Sequence, residues 1–201
     1  MDERLKRQLD FALEIDKEKN ILRQTHLSEH GRRENDAEHA WHMAIMAYLF
    51  IEHSNESVDI AKVMLMCLIH DIVEIDAGDT YAYDEEGKKT QAARERKAAD
   101  RIYGMLPEEQ GKKMYDLWLE FEAQETPEAK FARTMDNIQP MMLNAATDGK
   151  AWVEHSVQLS QILGRNAHTA EGSETLWEYA RENFIQPHLD AGHIREGNQN
   201  D

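Results

Sequence analysis

The chain has 201 residues, enough for one domain with a sizeable core and no need of covalent staples. Its 39 acidic against 23 basic residues give a formal charge of −16, which argues against binding long nucleic acid through the backbone but leaves room for a mononucleotide. A single cysteine, Cys67, excludes an internal disulfide. No apolar run spans a bilayer and the N-terminus lacks a signal-peptide core, so a cytoplasmic protein away from membranes is expected.

Glycine and proline number only 10 and 4, and no run of alternating β-branched residues occurs. An all-α fold is expected. Residues 3–20 read as an amphipathic helix with Leu5, Leu9, Ala12 and Leu13 as its apolar stripe. Residues 21–35 lose that periodicity and read as irregular. They carry Arg23, which composition alone treats as a surface charge.

A second helix starts at Asn35 or Asp36, either of which can cap it, with Glu38 placed for a capping box. Its core face is Ala40, Met43, Ala44, Ala47 and Tyr48, and His39 sits in its first turn. His42 reads as a surface residue or a neighbour of His39.

The next helix, from Ile60, is apolar through Val63, Met64, Cys67 and Leu68 and ends in His70, Asp71, Glu74 and Asp79. Cys67 reads as a small buried hydrophobe. A His and an Asp closing a greasy helix are costly unless paired. Local pairing or a metal ion would satisfy them, and Glu74 shares their face.

Residues 80–90 read as a charged, patternless segment, with a turn at Gly87, that is either a lid or a plain connection. Helices are expected over Gln91–Tyr103, after Pro107, and from Thr126-Pro127, where a capping hydroxyl precedes proline at the first helical position. The middle one has Met114, Leu117, Trp118 and Phe121 as its core stripe. The last contains Asp136 beside Met135 and Ile138, hence an expected partner, and Pro140 should kink it. Trp152–Leu163 and Ser173–Leu189 read as two more helices, with Pro187 bending or ending the second. Residues 1–192 are expected to form the domain and 193–201 a disordered tail.

One His on a helix, a His-Asp pair on the next and a later lone Asp offer nitrogen and oxygen ligands for a divalent cation. Their order, with Glu34–His39, His70–Glu74, Gly78-Asp79 and Lys130–Asp136, resembles the HD-domain metal-dependent phosphohydrolases. The branch most resembled is that of the 5′-deoxynucleotidases. The likeness runs from about Leu5 to Leu189 and implies an HD-domain helical bundle.

It further implies one divalent cation (Mn, Co, Fe, Ni, Zn or Mg) held by His39, His70, Asp71 and Asp136. Glu74 would orient or deprotonate the attacking water, and Asp79 would position the sugar or serve as a second acid/base. Arg23 would bind phosphate, with Gln24 beside it where those relatives carry an aromatic residue. The reaction implied is hydrolysis of (deoxy)nucleoside 5′-monophosphates, and the quaternary state implied is a homodimer. Guanosine tetraphosphate hydrolysis fits less well because Ile75 follows Glu74. Deoxynucleoside triphosphate hydrolysis fits less well for want of basic residues. No histidine separates His70 from His155, which disfavours a two-metal phosphodiesterase. A metal- or nucleotide-binding module without turnover is the non-enzymatic alternative.

Overall fold

The computed structural model describes residues 2–197. Helix α1 (Glu3–Glu14) is capped by Asp2 and runs on into a 3-10 segment, Ile15–Asn20. Its leucine stripe is not a core face: Leu5, Leu9 and Leu13 are 52%, 61% and 74% exposed. The inner face is polar instead. Arg7 Nε donates to Met105 O at 2.9 Å, Gln8 donates to Gln110 at 2.8 Å, and Phe11 alone supplies the apolar plug. Backbone carbonyls at a helix–helix turn attract a guanidinium, and that contact outweighs the hydrophobic pattern.

The stretch expected to be irregular contains a small antiparallel hairpin, β1 (Leu22–His26) with β2 (Arg33–Asn35). Its strands are too short and polar to show a period-two signal. Helix α2 (Asp36–Phe50) follows, and the capping box is present: Asn35 accepts from Glu38 N at 2.9 Å and Glu38 accepts from Asn35 N at 3.2 Å. Tyr48, expected inside, is 62% exposed.

Helix α3 (Ile60–Ile69), capped by Asp59, packs on α2 and on α7 (Pro127–Ala146). Met43, Met46 and Ala47 meet Val63, Met66 and Cys67, with Phe131, Ala132 and Met135 closing the core. Each such side chain contributes about 1.5–3 kcal/mol on burial. Leu68 points outward instead. Thr126 caps α7 as expected, and the helix continues through Pro140 to Ala146.

A one-turn helix α4 (Glu74–Ala77) ends at Gly78, whose φ of 75° is a left-handed conformation that turns the chain toward Asp79. Helix α5 (Glu85–Tyr103) begins earlier than its apolar periodicity, because Asp84 accepts from Glu86 N and Gly87 N and nucleates a charged first turn. Most of the segment 80–90, read as a lid or a plain connection, is therefore helix, and Gly87 is helical rather than a turn. Helix α6 (Glu108–Ala123) lies against α5, with Trp118 in a second core that includes Ile72, Val73, Ala99 and Ile102.

The expected Trp152–Leu163 helix is broken into α8 (Lys150–Glu154) and α9 (Leu159–Arg165) by Ser156 at φ 54°. Helix α10 (Thr169–Gly172) presses on α7, where a Cβ on Gly172 would stand 2.4 Å from Lys130 O. After α11 (Glu174–Ala180) a π turn, Arg181–Ile185, leads into α12 (Gln186–Asp190). Pro187 has no N–H for the carbonyl of Asn183, which accounts for the wider turn there.

The segment after Gly192, expected to be disordered, packs: Ile194 is 1% exposed and Arg195 bonds to Val157 and Leu159. Residues 198–201 of that expected tail lie outside the described residues. Among the described residues no helix is long and apolar enough to cross a membrane.

Candidate functional site

The two cores leave a polar seam where α2 begins, α3 ends and α7 passes its midpoint. His39 is wholly buried there, with Nε2 3.1 Å from Asp136 Oδ1 and Nδ1 3.0 Å from Gln139 Oε1. The amide of Gln139 is fixed by its other end, since Nε2 donates to Glu34 Oε1 at 2.6 Å. Gln139 Oε1 must then accept, so His39 Nδ1 carries the proton and Nε2 turns a lone pair toward a carboxylate oxygen. Burial and the Arg23 charge push the His39 pKa down to about 4, which keeps the ring neutral.

His70 repeats the arrangement. Its Nδ1 donates to Cys67 O at 2.9 Å, which points Nε2 inward. Nε2 stands 3.0 Å from Asp71 Oδ2 and 3.7 Å from Asp136 Oδ1. The nearer oxygen is off the hydrogen-bond axis and the farther one is beyond hydrogen-bond distance, so this buried nitrogen has no hydrogen-bond partner among the described residues. Burial opposes a charge on His70, but Asp71 and Asp136 outweigh it and raise the pKa to about 10.

His39, His70 and Asp136 each offer a ligand atom, all within 4.8 Å of one another. Two imidazole lone pairs and a carboxylate oxygen converging in a buried pocket fit a divalent cation. A proton on His70 is the smallest positive charge that the same cage would take up instead.

Asp71, the fourth expected ligand, lies at the edge of this group and belongs equally to a second one. Its Oδ2 accepts from Arg23 at 2.7 Å, and with Asp36 and Glu74 it forms a carboxylate cluster within 4.8 Å. Burial works against its charge, yet His70 and Arg23 hold its pKa below the ordinary range. Asp36 is fully buried and raised to about 7 by burial and by Asp71. Glu74 is buried, with Oε2 free of hydrogen bonds, and burial and the Asp71 charge push its pKa well up. Asp79, past the Gly78 turn, is raised mainly by burial.

Arg23 is no surface charge: its side chain is 14% exposed and sits between Asp71, Asp36 at 3.4 Å and Glu34 at 4.0 Å. It also lines a cavity of about 400 Å³ that opens onto His70, Glu74, Asp79 and Asp136. That volume lies within the range of small-ligand sites. Gln24 lines the same cavity and accepts from His155 Nε2 at 3.2 Å.

Sequence reasoning did not single out Arg133 and Arg165, which each donate to Asp136 Oδ2 at 2.9 Å and leave Oδ1 for the imidazoles. The first lies one turn before Asp136 on α7. The second comes from α9, and nothing local marks it. Asp36 was legible only as a cap, a role that Asn35 takes. His42 lies beside the ligands, with Nδ1 3.2 Å from the Gln139 amide nitrogen.

The model of the HD domain family matches residues 15–177. The chain belongs to the HD domain family. It is 32% identical over 115 residues to human 5′-deoxynucleotidase HDDC2, covering 57% of this chain and 54% of that one. The zebrafish (Danio rerio) protein of the same name is 33% identical over 106 residues, 53% of this chain and 52% of its own. The chain thus matches about half the length of these curated relatives. A crystal structure of a predicted metal-dependent phosphohydrolase from Magnetospirillum magnetotacticum MS-1 superposes with a TM-score of 0.91 at 45% identity, covering 96% of this chain and 97% of that one. The all-α class and the cation-binding character expected from the sequence agree with these likenesses.

Proposed function

We propose that the protein is a metal-dependent phosphomonoesterase that hydrolyses (deoxy)nucleoside 5′-monophosphates. The observation that carries this reading is the convergence of His39 Nε2, His70 Nε2 and Asp136 Oδ1, of which His70 and Asp136 line the cavity. The names of the curated relatives, 5′-deoxynucleotidases, supply the substrate class.

His39, His70 and Asp136 would hold the cation, with Asp71 at its edge. When bound it would lower the pKa of water and offset charge on a phosphoryl oxygen. Glu74, whose carboxylate form a cation bound beside it would favour, would accept a proton from the attacking water through its free Oε2. Arg23 grips the phosphate from its seat between Asp36 and Asp71, and Asp79 faces the sugar. A bound cation together with Arg23 would supply the local positive charge, so the acidic surface does not bar an anionic substrate.

The homodimer expected by resemblance has support in α2. Its outer side carries Trp41, Ile45, Tyr48 and Leu49, 42–63% exposed, and has no formally charged residue after Glu38. A copy of net charge −16 meets least repulsion on such a face. Light scattering at micromolar concentration should give twice the chain mass and Trp41→Glu the chain mass. A monomeric wild type would contradict it.

The substrate class is tested by phosphate release from nucleoside mono-, di- and triphosphates and cyclic dinucleotides with a divalent cation present. Turnover confined to the monophosphates is expected, and preference for any other class would overturn the reading.

A further inference from the structure

The cavity lining is aromatic as well as charged. Tyr81, Tyr83 and Trp152 belong to it, with Tyr81 only two residues past Asp79. Two residues span at most roughly 7 Å of backbone, and both side chains line the same cavity.

Tyr81 is held by two ring contacts: Tyr83 stands perpendicular to it with ring centres 5.3 Å apart, and the imidazole of His155 lies 4.5 Å away, tilted by 41°. His155 is outside the cavity lining and is exposed, at the break between α8 and α9. Its Nε2 is tied to Gln24, which does line the cavity. The loop before Tyr81 is anchored in turn, since Arg94 donates to Thr80 Oγ1 at 2.7 Å and to Ala77 O. Residues from β1, the α4–α5 loop and the α8–α9 break thus join to fix one ring, which is partly exposed and lines the cavity.

We propose that Tyr81 is the nucleobase platform, with His155 and Gln24 as positioning residues that brace it. This rests on the nucleoside monophosphate reading and adds what the phosphate end does not decide, namely how the base is held. A tyrosine face stacks on any base, so the platform favours nucleotides over base-less sugar phosphates while discriminating little among bases. Gln24, the departure from the aromatic of the 5′-deoxynucleotidase branch, serves the base end through His155.

The experiment compares a deoxynucleoside 5′-monophosphate with deoxyribose 5-phosphate, which lacks the base. Tyr81→Ala should raise KM for the nucleotide about tenfold, leave kcat within twofold, and leave the base-less substrate unaffected. Tyr81→Phe should behave as wild type, and His155→Ala should show a smaller rise, again for the nucleotide alone. An equal loss on both substrates, or no change in nucleotide KM, would overturn the proposal. If wild type hydrolyses neither substrate, the functional reading fails on its own. Calorimetric binding of the nucleotide then decides the platform: weaker binding to Tyr81→Ala with Tyr81→Phe intact supports it, and equal binding overturns it.

Discussion

His39 Nε2 and Asp136 Oδ1 face each other across 3.1 Å. The ring's one proton is committed to the Gln139 amide on its other side. A lone pair opposed to a carboxylate is unfavourable alone and becomes favourable with a cation between them. Gln139 would therefore belong to the proposed metal centre without touching the metal. Gln139→Ala should free the His39 tautomer and lower divalent-cation affinity about 10–100-fold, read by metal titration with a competing chelator. Unchanged affinity would mean that the ring is oriented by packing.

Glu74 is assigned to the proton and not to the cation. Glu74→Gln keeps its volume and removes its basicity, so bound metal should stay at the wild-type level while turnover falls by about 10²–10⁴. Metal analysis and phosphate release on the same preparation check both halves.

Arg23 neutralises Asp36 and Asp71 from a largely buried position. Removing one partner of a buried charge group leaves the others uncompensated, at a cost of about 3–5 kcal/mol. Arg23→Ala should therefore lower the thermal midpoint as well as weaken substrate binding. A variant with wild-type stability and poor binding would restrict Arg23 to the phosphate.

Glu18 is 6% exposed, and burial, with Asp71 and Asp36 nearby, raises its pKa from 4.5 to about 8. A raised carboxyl holds its proton in the folded state after the unfolded chain has released it. Its contribution is thus fully present below pH 4.5 and is lost as pH rises through about 8. Glu18→Gln should match wild type near pH 4.5 and gain stability by pH 8, on the order of 1–4 kcal/mol. Denaturant melts of the chelated protein across that range measure the difference, and a gain independent of pH would reject it.

What the sequence disclosed and what it hid divide along the range of the interactions. The capping box of Asn35 with Glu38, the cap of Thr126 before Pro127 and the His70-Asp71 helix end are local, written within a few residues. The outward leucines of α1 were misread because Arg7 reaches carbonyls nearly a hundred residues away. Pairings of Gln139 with Glu34, Arg165 with Asp136 and His155 with Gln24 likewise join distant elements, and no spacing rule reports them. The β1–β2 hairpin escaped because its strands are short and polar. The candidate ligand residues were legible because their order along the chain resembles a family pattern, whereas the division of Asp71 between the two clusters required coordinates.

The central claim is that His39, His70 and Asp136 hold a divalent cation on which phosphate release depends. The most direct test strips the protein with chelator and follows phosphate release from a deoxynucleoside 5′-monophosphate before and after a divalent cation is restored. Activity should vanish on stripping and return in wild type, and it should fail to return in Asp136→Ala. Full turnover by the stripped protein, or recovery in Asp136→Ala equal to wild type, would contradict the account.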